Sequence, residues 1–478
     1  MAQINEVAVG TPGVYVDEIA FFPPTVNQVE TAVPAFIGYT RKAEDDRGES
    51  LINKPTKVFS LQGYERYFGG PENQCGIQVT VHQTAVGSSL TSLSVRAELA
   101  ADSPSKFKLY DSIRLYFANG GGPCYVVSVA STDTGIAVGP MEAGLNALTT
   151  CDEPTIIVLP DGLSLTKDEY YGLIGTAIDQ CALRQDRFTL VDVYAEANGA
   201  METIAAFRSD FTKSDNLNFA AAYYPYLKTT LTYTYNDTDV AVVIVTNGIA
   251  ADAVPLGSLK IKHTAIYNLC VETIDDTLHP TLAPSAAMAG IYARVDGLKG
   301  VWKAPANVML NAVSGLSDPI SEAVQGLMNI DAVTGKSVNA IRAFQGKGYL
   351  VWGARTLAGN DSEWRYVNVR RLAITVEKSA RKAAMQFVFE PNDANTWTKL
   401  RAMLDNYLLC LWRRGALVGN NPEHAFYVRC GLHQTMTVQD VNNGKLIVEI
   451  GMAVVRPAEF VILRFAIRMR TRNSQGVK

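Results

Sequence analysis

The chain has 478 residues, 47% of them apolar and 19% charged, with a net charge of −4 at neutral pH. That length exceeds what one hydrophobic core serves, so two or three domains are expected, and the composition suits a folded chain rather than a disordered one. The acidic balance and the lack of a basic run argue against direct nucleic-acid binding, and no apolar run reaches the ~18 residues of a membrane span, so no membrane insertion by this chain is expected.

In chain order, the first feature is TPGVYVDEI at Thr11 to Ile19. Pro12-Gly13 signals a turn, and Val14, Tyr15, Val16 and Ile19 are strand formers with no strand partner close by in sequence. Phe21-Phe22-Pro23-Pro24 reads as an extended linker. Ala35 to Tyr39 is a short buried strand and Lys42 to Asn53 a surface loop. Residues 74–108 alternate around a Gly-Ser-Ser turn and read as an inserted hairpin or loop. Leu115 to Phe117 begins an element that ends in the glycine turn Asn119 to Pro123, followed by a strand from Cys124 to Val129. From Met141 the apolar strands Thr155 to Pro160, Phe188 to Val193 and Phe219 to Tyr224 alternate with helical spacing at Lys167 to Leu183 and Met201 to Asp210. That order predicts an α/β domain with a largely parallel sheet covered on both faces. Thr229 to His263 is a β excursion, and Ser285 to Val295 a helix.

The last third predicts a long helix from Arg365 to Ala384 and a strand from Gln386 to Glu390. Asn392-Asp393 caps a helix whose apolar face is Trp397, Leu400, Leu404, Leu408 and Leu411, and Gly415 ends it. Ala425 to Cys430 is a strand. Asn443-Gly444 is read as a hairpin turn into Lys445 to Val455. After the Arg456-Pro457 break, Val461, Leu463, Phe465, Ile467 and Met469 line one face of a final strand. Phe460, Ile462, Arg464, Ala466 and Arg468 line the other. Each terminus therefore carries a strand set off by proline, and such a strand is a liability unless something pairs with it.

Seven cysteines, Cys75, Cys124, Cys151, Cys181, Cys270, Cys410 and Cys430, are widely spaced with no C-x-x-C pair. They read as buried free thiols in a reducing compartment. The opening MAQINEVAVG lacks the basic and apolar segments of a signal peptide, so cytoplasmic assembly is expected.

Three stretches could carry chemistry. Gly335-Lys336-Ser337 ends like a phosphate loop, but Ile330 stands where that motif needs glycine. Asn119 to Pro123 is glycine-rich but precedes a strand, where a dinucleotide site needs a helix. Ser285 opens a helix of small residues, somewhat like the nucleophile helix of subtilisin-type proteases. A serine nucleophile needs a histidine base and an orienting acid. None of His82, His263, His279, His424 and His433 sits in a motif of that kind, so Ser285 is expected to be an N-cap. Arg370-Arg371 and Arg413-Arg414 are candidates for gripping an anionic partner.

Together, TPGVYVDEI, Asn119 to Gly122 with the following Cys-Tyr-Val-Val, and Pro284 to Asp296 resemble the tail sheath proteins of contractile phage tails and phage-like contractile injection systems. YLVWGARTL (Tyr349 to Leu357), WRYVNVRRL (Trp364 to Leu372), FEPND (Phe389 to Asp393), Leu411 to Gly419 and IGMAVVRPAEFVILRF (Ile450 to Phe465) extend the resemblance. It weakens in 74–108 and 229–263, which read as decorations.

The resemblance implies an α/β and α+β multidomain chain. It has an N-terminal extended arm (1–24), an N-terminal part (25–140), a subtilisin-like α/β domain (141–345), a C-terminal α+β sheath core (346–455) and a C-terminal arm (456–478). It implies a subunit without catalysis or cofactor, assembled in the bacterial cytoplasm into a helical homo-polymer of stacked six-fold rings around an inner tube protein. Baseplate and terminator proteins would bound the polymer, and contraction would drive the tube through a target envelope. Val14, Tyr15, Val16 and Ile19 at one end, and Phe460, Val461, Ile462, Leu463, Phe465 and Ile467 at the other, are the expected strand-exchange residues. Their receiving edge is expected in a hairpin at Thr435 to Val455, and Lys399, Arg401, Arg413 and Arg414 are candidates for touching the inner tube. A non-contracting tube protein and a subtilisin-fold hydrolase are the alternatives.

Overall fold

The segment Pro34–Thr40, PAFIGYT, is buried along its whole length, as a strand is when it has neighbours on both edges and cover on both faces. In the computed structural model, which describes residues 25–86, 89–100, 105–196 and 199–460, it lies inside a nine-stranded sheet. It runs parallel to Cys124–Ser131 on one side and to Ile156–Val158 on the other. The parallel run continues through Phe188–Asp192, Ala220–Tyr224 and Val338–Phe344. Antiparallel strands close the edges, Thr56–Val58 at one side and Gly348–Val351 with Val308–Met309 at the other.

The boundaries expected at 140/141 and 345/346 therefore do not separate two bodies. Strand pairing across the first, and between Val338–Phe344 and Gly348–Val351 across the second, runs through one sheet. The chain divides instead into a larger body, residues 30–374 with 455–460, and a smaller one, residues 25–29 with 375–454.

Consecutive strand residues point to opposite faces. Phe36 meets Tyr116 edge-on, with centroids 5.2 Å apart, so one face is covered by the helix Leu109–Ala118. Ile37 meets the helix Val138–Ala147 at Gly144, where a Cβ would fall 2.8 Å from the Ile37 side chain. Leu109–Ala118 in turn packs on Ser285–Lys299. At Gly290 a Cβ would stand 2.6 Å from the Tyr116 carbonyl oxygen, so the two helices touch backbone to backbone.

Buried carboxylates tie these layers together. Asp161 accepts N–H bonds from Tyr39 at 2.7 Å, Lys108 at 2.6 Å and Leu109 at 3.0 Å. It joins the central strand to the first turn of a helix whose N–H groups otherwise lack partners. Burial pushes Asp161 up to about 6, with the three N–H donors pulling the other way.

Asp192 plays a similar part for Ser285–Lys299. Ser285 is not the N-cap expected from sequence; Pro284 is, and Ser285 is the first helical residue. Its hydroxyl donates to Asp192 at 2.5 Å and its N–H donates to the same carboxylate at 2.8 Å. The cap comes from another strand because that carboxylate ends Phe188–Asp192 directly under the helix. Burial pushes Asp192 up to about 7, against both bonds from Ser285.

The two decorations form one module. Ile77–Val86 and Ser89–Leu99 make the expected antiparallel hairpin, and Ala241–Thr246 runs parallel to the first of these strands. The helices Leu256–Lys262 and Thr264–Thr277 contribute Leu259, Cys270 and Ile274 to a core shared with Ile77, Val79 and Val242. Cys75 and Cys410 are exposed, contrary to the expectation of buried thiols. Among the described residues no helix is long and apolar enough to cross a membrane.

In the smaller body, Asp393 accepts from the N–H groups of Asn395 and Thr396 at 3.0 and 2.9 Å, starting the helix Ala394–Arg413 as expected. Gly415, at φ 83°, follows its end. Two expectations fail here. Gln386 to Glu390 is no strand: a 3-10 turn, Met385–Phe387, is followed by Phe389 at φ 69°, a left-handed residue that ends any extended run. Asn443-Gly444 is no hairpin turn, because Thr437 and Asp440 cap each other reciprocally and start a short helix, Val438–Asn442, which Asn443-Gly444 terminates.

Two predictions follow from the packing of Ser285–Lys299. Gly290→Ala should lower stability by about 1–3 kcal/mol through backbone overpacking. Gly297→Ala, on the same helix with nothing within 4 Å, should raise it by about 0.5–1 kcal/mol; thermal melts of the two variants check the contrast. Asp192→Asn should fold, since its amide can still accept the Ser285 N–H and can donate to the hydroxyl oxygen. Folded Asp192 holds its proton up to about pH 7, whereas an ordinary aspartate releases it near 3.8. Wild type should therefore gain stability relative to Asp192→Asn as the pH falls from about 8 to about 5, and parallel melting profiles would contradict this.

Candidate subunit-linking site

The smaller body carries a ribbon of two antiparallel strands, Phe426–Arg429 and Glu449–Met452. Phe426 lies opposite Met452 and Arg429 opposite Glu449. Only the second half of the hairpin expected at Thr435 to Val455 is strand, and its partner lies earlier in the chain. Among the described residues no third strand joins the ribbon. Both outer edges thus present backbone N–H and C=O groups without strand partners, and a ribbon of this size is marginal by itself.

Local packing gives the ribbon what order it has. Val428 is buried, and Phe426–Arg429 lies against the helix Ala394–Arg413. The Tyr427 ring covers Gly451, where a Cβ would fall 2.2 Å from it, and its hydroxyl donates to Glu449 at 2.7 Å. Beyond Met452, Ala453 donates its N–H to the Ala425 carbonyl at 2.8 Å and accepts from the Val418 N–H at 2.7 Å. Gly419 passes so close that a Cβ there would stand 2.8 Å from the Ala425 nitrogen. Its carbonyl accepts from the Trp412 indole at 2.9 Å. These contacts account for the Leu411 to Gly419 stretch picked out in the sequence.

This body exposes several large apolar side chains. Met385, Val388, Phe389, Val418, Tyr427, Leu432, Val438 and Ile447 are all exposed, and Phe389 wholly so. A phenyl ring in water on a left-handed residue combines backbone strain with an exposed apolar group, a pairing found at contact surfaces. Phe389 has no part in any contact expected from the sequence; its place in FEPND, two residues before Pro391, was the available signal.

Of the expected strand-exchange residues, Val14, Tyr15, Val16, Ile19, Val461, Ile462, Leu463, Phe465 and Ile467 lie outside the described residues. Phe460, the last described, is 66% exposed. At the other root, the Val29 N–H donates to the Ser379 hydroxyl at 3.2 Å. Thr25, Val26 and Gln28 wall a cleft of about 250 Å³ with Met403, Tyr407 and Leu411.

The four candidate tube-contact cations are exposed but do not form one patch. Lys399 and Arg401, two residues apart, lie about 200° apart around their helix. Arg413 and Arg414 stand at its C-terminal end, where Arg414 donates to the Gln28 side chain at 3.4 Å. Arg370 and Arg371 are buried, not offered to an anion. Arg371 pairs with Asp296 at 2.6 Å, and Arg370 stacks on Phe219 and Trp364 at 4.3 and 4.5 Å. The Lys336 ammonium donates to the carbonyls of Arg208 and Phe211 at 2.7 and 2.5 Å, so Gly335-Lys336-Ser337 ties the larger body together. Ser285 is buried, with its hydroxyl on Asp192.

Residues 359–468 match the family described as phage tail sheath C-terminal domain. Against the tail sheath protein of Burkholderia phage BcepMu the chain is 28% identical over 160 residues, 33% of this chain and 32% of the relative. Matches to curated relatives of this kind span about a third of their length or less. Solved structures align far more completely. A chain of the anti-feeding prophage baseplate, from a six-fold symmetrised reconstruction, is 30% identical with a TM-score of 0.64, covering 96% of this chain and 99% of that one. A chain of the PVC sheath complex, an extracellular contractile injection system in its contracted state, is 30% identical with a TM-score of 0.62, covering 95% and 97%. Similar at that level over nearly its whole length, the chain belongs to the family of contractile tail sheath proteins.

Proposed function

We propose that the chain is the structural subunit of a contractile sheath, polymerising as stacked six-fold rings around an inner tube and contracting to drive that tube through a target envelope. The observation that carries this reading is the two-edged ribbon Phe426–Arg429 with Glu449–Met452, set in a body that exposes several large apolar side chains. A ribbon open on both sides suits two incoming strands, one from the N-terminal arm of one neighbour and one from the C-terminal arm of another. Backbone bonds would supply affinity and alternating side chains the register. Each net hydrogen bond contributes only about 0.5–1.5 kcal/mol, so a single arm binds weakly and a lattice of them binds strongly.

Contraction is then a rigid-body rearrangement, with the arms keeping subunits joined while their bodies move. The relative solved as a contracted sheath supports this part of the reading, and the six-fold baseplate supports the ring symmetry and a baseplate partner. Terminator proteins would cap the other end, and assembly would take place in the bacterial cytoplasm. The largely parallel sheet with helices on both faces serves as a subtilisin-like scaffold without catalysis; Ser285 spends its hydroxyl on a buried structural bond. Of the exposed cations Lys399, Arg401, Arg413 and Arg414, contact with the inner tube is assigned to Lys399 and Arg413, which share one flank of their helix.

The test removes one arm at a time while leaving both bodies intact. Chains lacking Met1 to Ile19, or cut after Phe460, should fold with melting temperatures near wild type yet form no long tubes in negative-stain micrographs. Tubes of wild-type length from either chain would contradict strand exchange.

A further inference from the structure

The segment 455–460 leads from the ribbon to the C-terminal arm and has no regular secondary structure. It is nevertheless held to the larger body at two points. The Asn368 side-chain amide donates to the Val455 carbonyl at 3.0 Å. Four residues further on, the Glu459 carboxylate meets a prepared socket. Arg355 donates to it through Nη2 at 2.6 Å and Nε at 3.0 Å, the Asn329 amide donates at 2.7 Å, and the Tyr366 hydroxyl donates at 3.2 Å.

The socket is built by the body and not by the segment. The Arg355 N–H donates to the Asn339 side chain at 2.7 Å, and the Asn339 amide donates back to the Arg355 carbonyl at 2.7 Å. Asn339 stands on the strand Val338–Phe344 and also donates to the Ala222 carbonyl of the neighbouring strand at 3.0 Å. Arg355 and Tyr366 form an isolated antiparallel bridge, and Asn329 closes the helix Glu322–Asn329. The Arg355 side chain is 5% exposed and that of Glu459 20%. Burial by itself would push Glu459 up, but the bonds from Arg355 and Asn329 hold it below the usual carboxylate range. Phe460, the next residue, is already in solvent.

A buried, forked arginine–carboxylate pair is a poor general stabiliser, because desolvation offsets most of its Coulomb energy; its value lies in geometric specificity. Here the specified geometry is a point on an otherwise irregular segment. We infer that Glu459 is the positioning residue that fixes where the C-terminal arm leaves the larger body, so that the residues beyond it are offered to a neighbouring subunit on a short tether. The inference rests on the strand-exchange reading. Releasing Glu459 would leave the segment held at Val455 and add residues 456–459 to the tether, about 14 Å of reach at ~3.5 Å per residue. Once a tether exceeds the span it must cover, lengthening it dilutes the arm at its target edge.

The experiment compares wild type with Glu459→Ala and Glu459→Gln, using the full chain. Amide exchange of the unassembled protein reads the hold on 455–460, and light scattering with negative-stain microscopy reads polymerisation. Expected are exchange at 455–460 about tenfold faster with little change elsewhere, and polymerisation several-fold slower at equal concentration. Gly290→Ala, which loses stability far from the arm, should polymerise at the wild-type rate below its melting temperature. Glu459→Gln keeps an acceptor for Arg355 and is read alone where Glu459→Ala does not fold. Unchanged exchange at 455–460, or faster exchange with unchanged polymerisation, overturns the inference. If the chain cut after Phe460 fails to polymerise while both Glu459 variants polymerise normally, only this inference falls. If the cut chain also polymerises, the strand-exchange reading falls with it.

Discussion

Backbone hydrogen bonding at a strand edge is the constraint on which this account depends. Each edge of a sheet exposes donors and acceptors that pair with another strand or stay in water. The large sheet pairs every parallel strand on both sides and leaves only its two short antiparallel edge strands, Thr56–Val58 and Val308–Met309, with a single strand partner each. In the ribbon Phe426–Arg429 with Glu449–Met452, each strand has only the other as a strand partner among the described residues. One protein thus combines a sheet whose parallel core is flanked on both sides with a ribbon of two strands, the edges that the proposed strand exchange would complete.

The larger body is suited to moving as a block. Asp161 ties the central strand to one covering helix and Asp192 ties the next strand but one to another. Arg371, paired with Asp296 and stacked on Tyr292, fixes the far end of Ser285–Lys299. These groups are buried and bonded, and opening any of them would strand a charge or a donor in a low-dielectric interior. Interiors of this kind shift as units and do not deform smoothly. The proposed strand exchange asks for that separation of roles, a core that stays intact while the ends make the links.

Much of this was legible in the sequence because it depends on local pattern. The continuous apolar runs Ile156–Val158, Phe188–Asp192 and Ala220–Tyr224 announced doubly covered strands, and Asp393 and Gly415 marked the ends of a helix. What was missed depends on partners remote in sequence. Nothing near Ser285 points to Asp192, 93 residues away. Nothing in 74–108 shows that 241–246 will pair with it, so one module looked like two decorations. Asn443-Gly444 carries the strongest short hairpin signal, yet the capping box just before it turned that signal into a helix end. At the candidate site, both strands were foreseen, at Ala425 to Cys430 and within Lys445 to Val455, but their pairing was not, since a helix and a loop separate them. The arms themselves were visible only as strands without partners, and that absence was the informative feature.

The most direct measurement is a map of the assembled polymer of this chain at a resolution that traces strands. The account predicts that Phe426–Arg429 and Glu449–Met452 become the inner pair of a larger sheet, flanked by one strand from the N-terminus of one neighbour and one from the C-terminus of another. A ribbon that stays two-stranded in the polymer, or that pairs with the termini of its own chain, would contradict it.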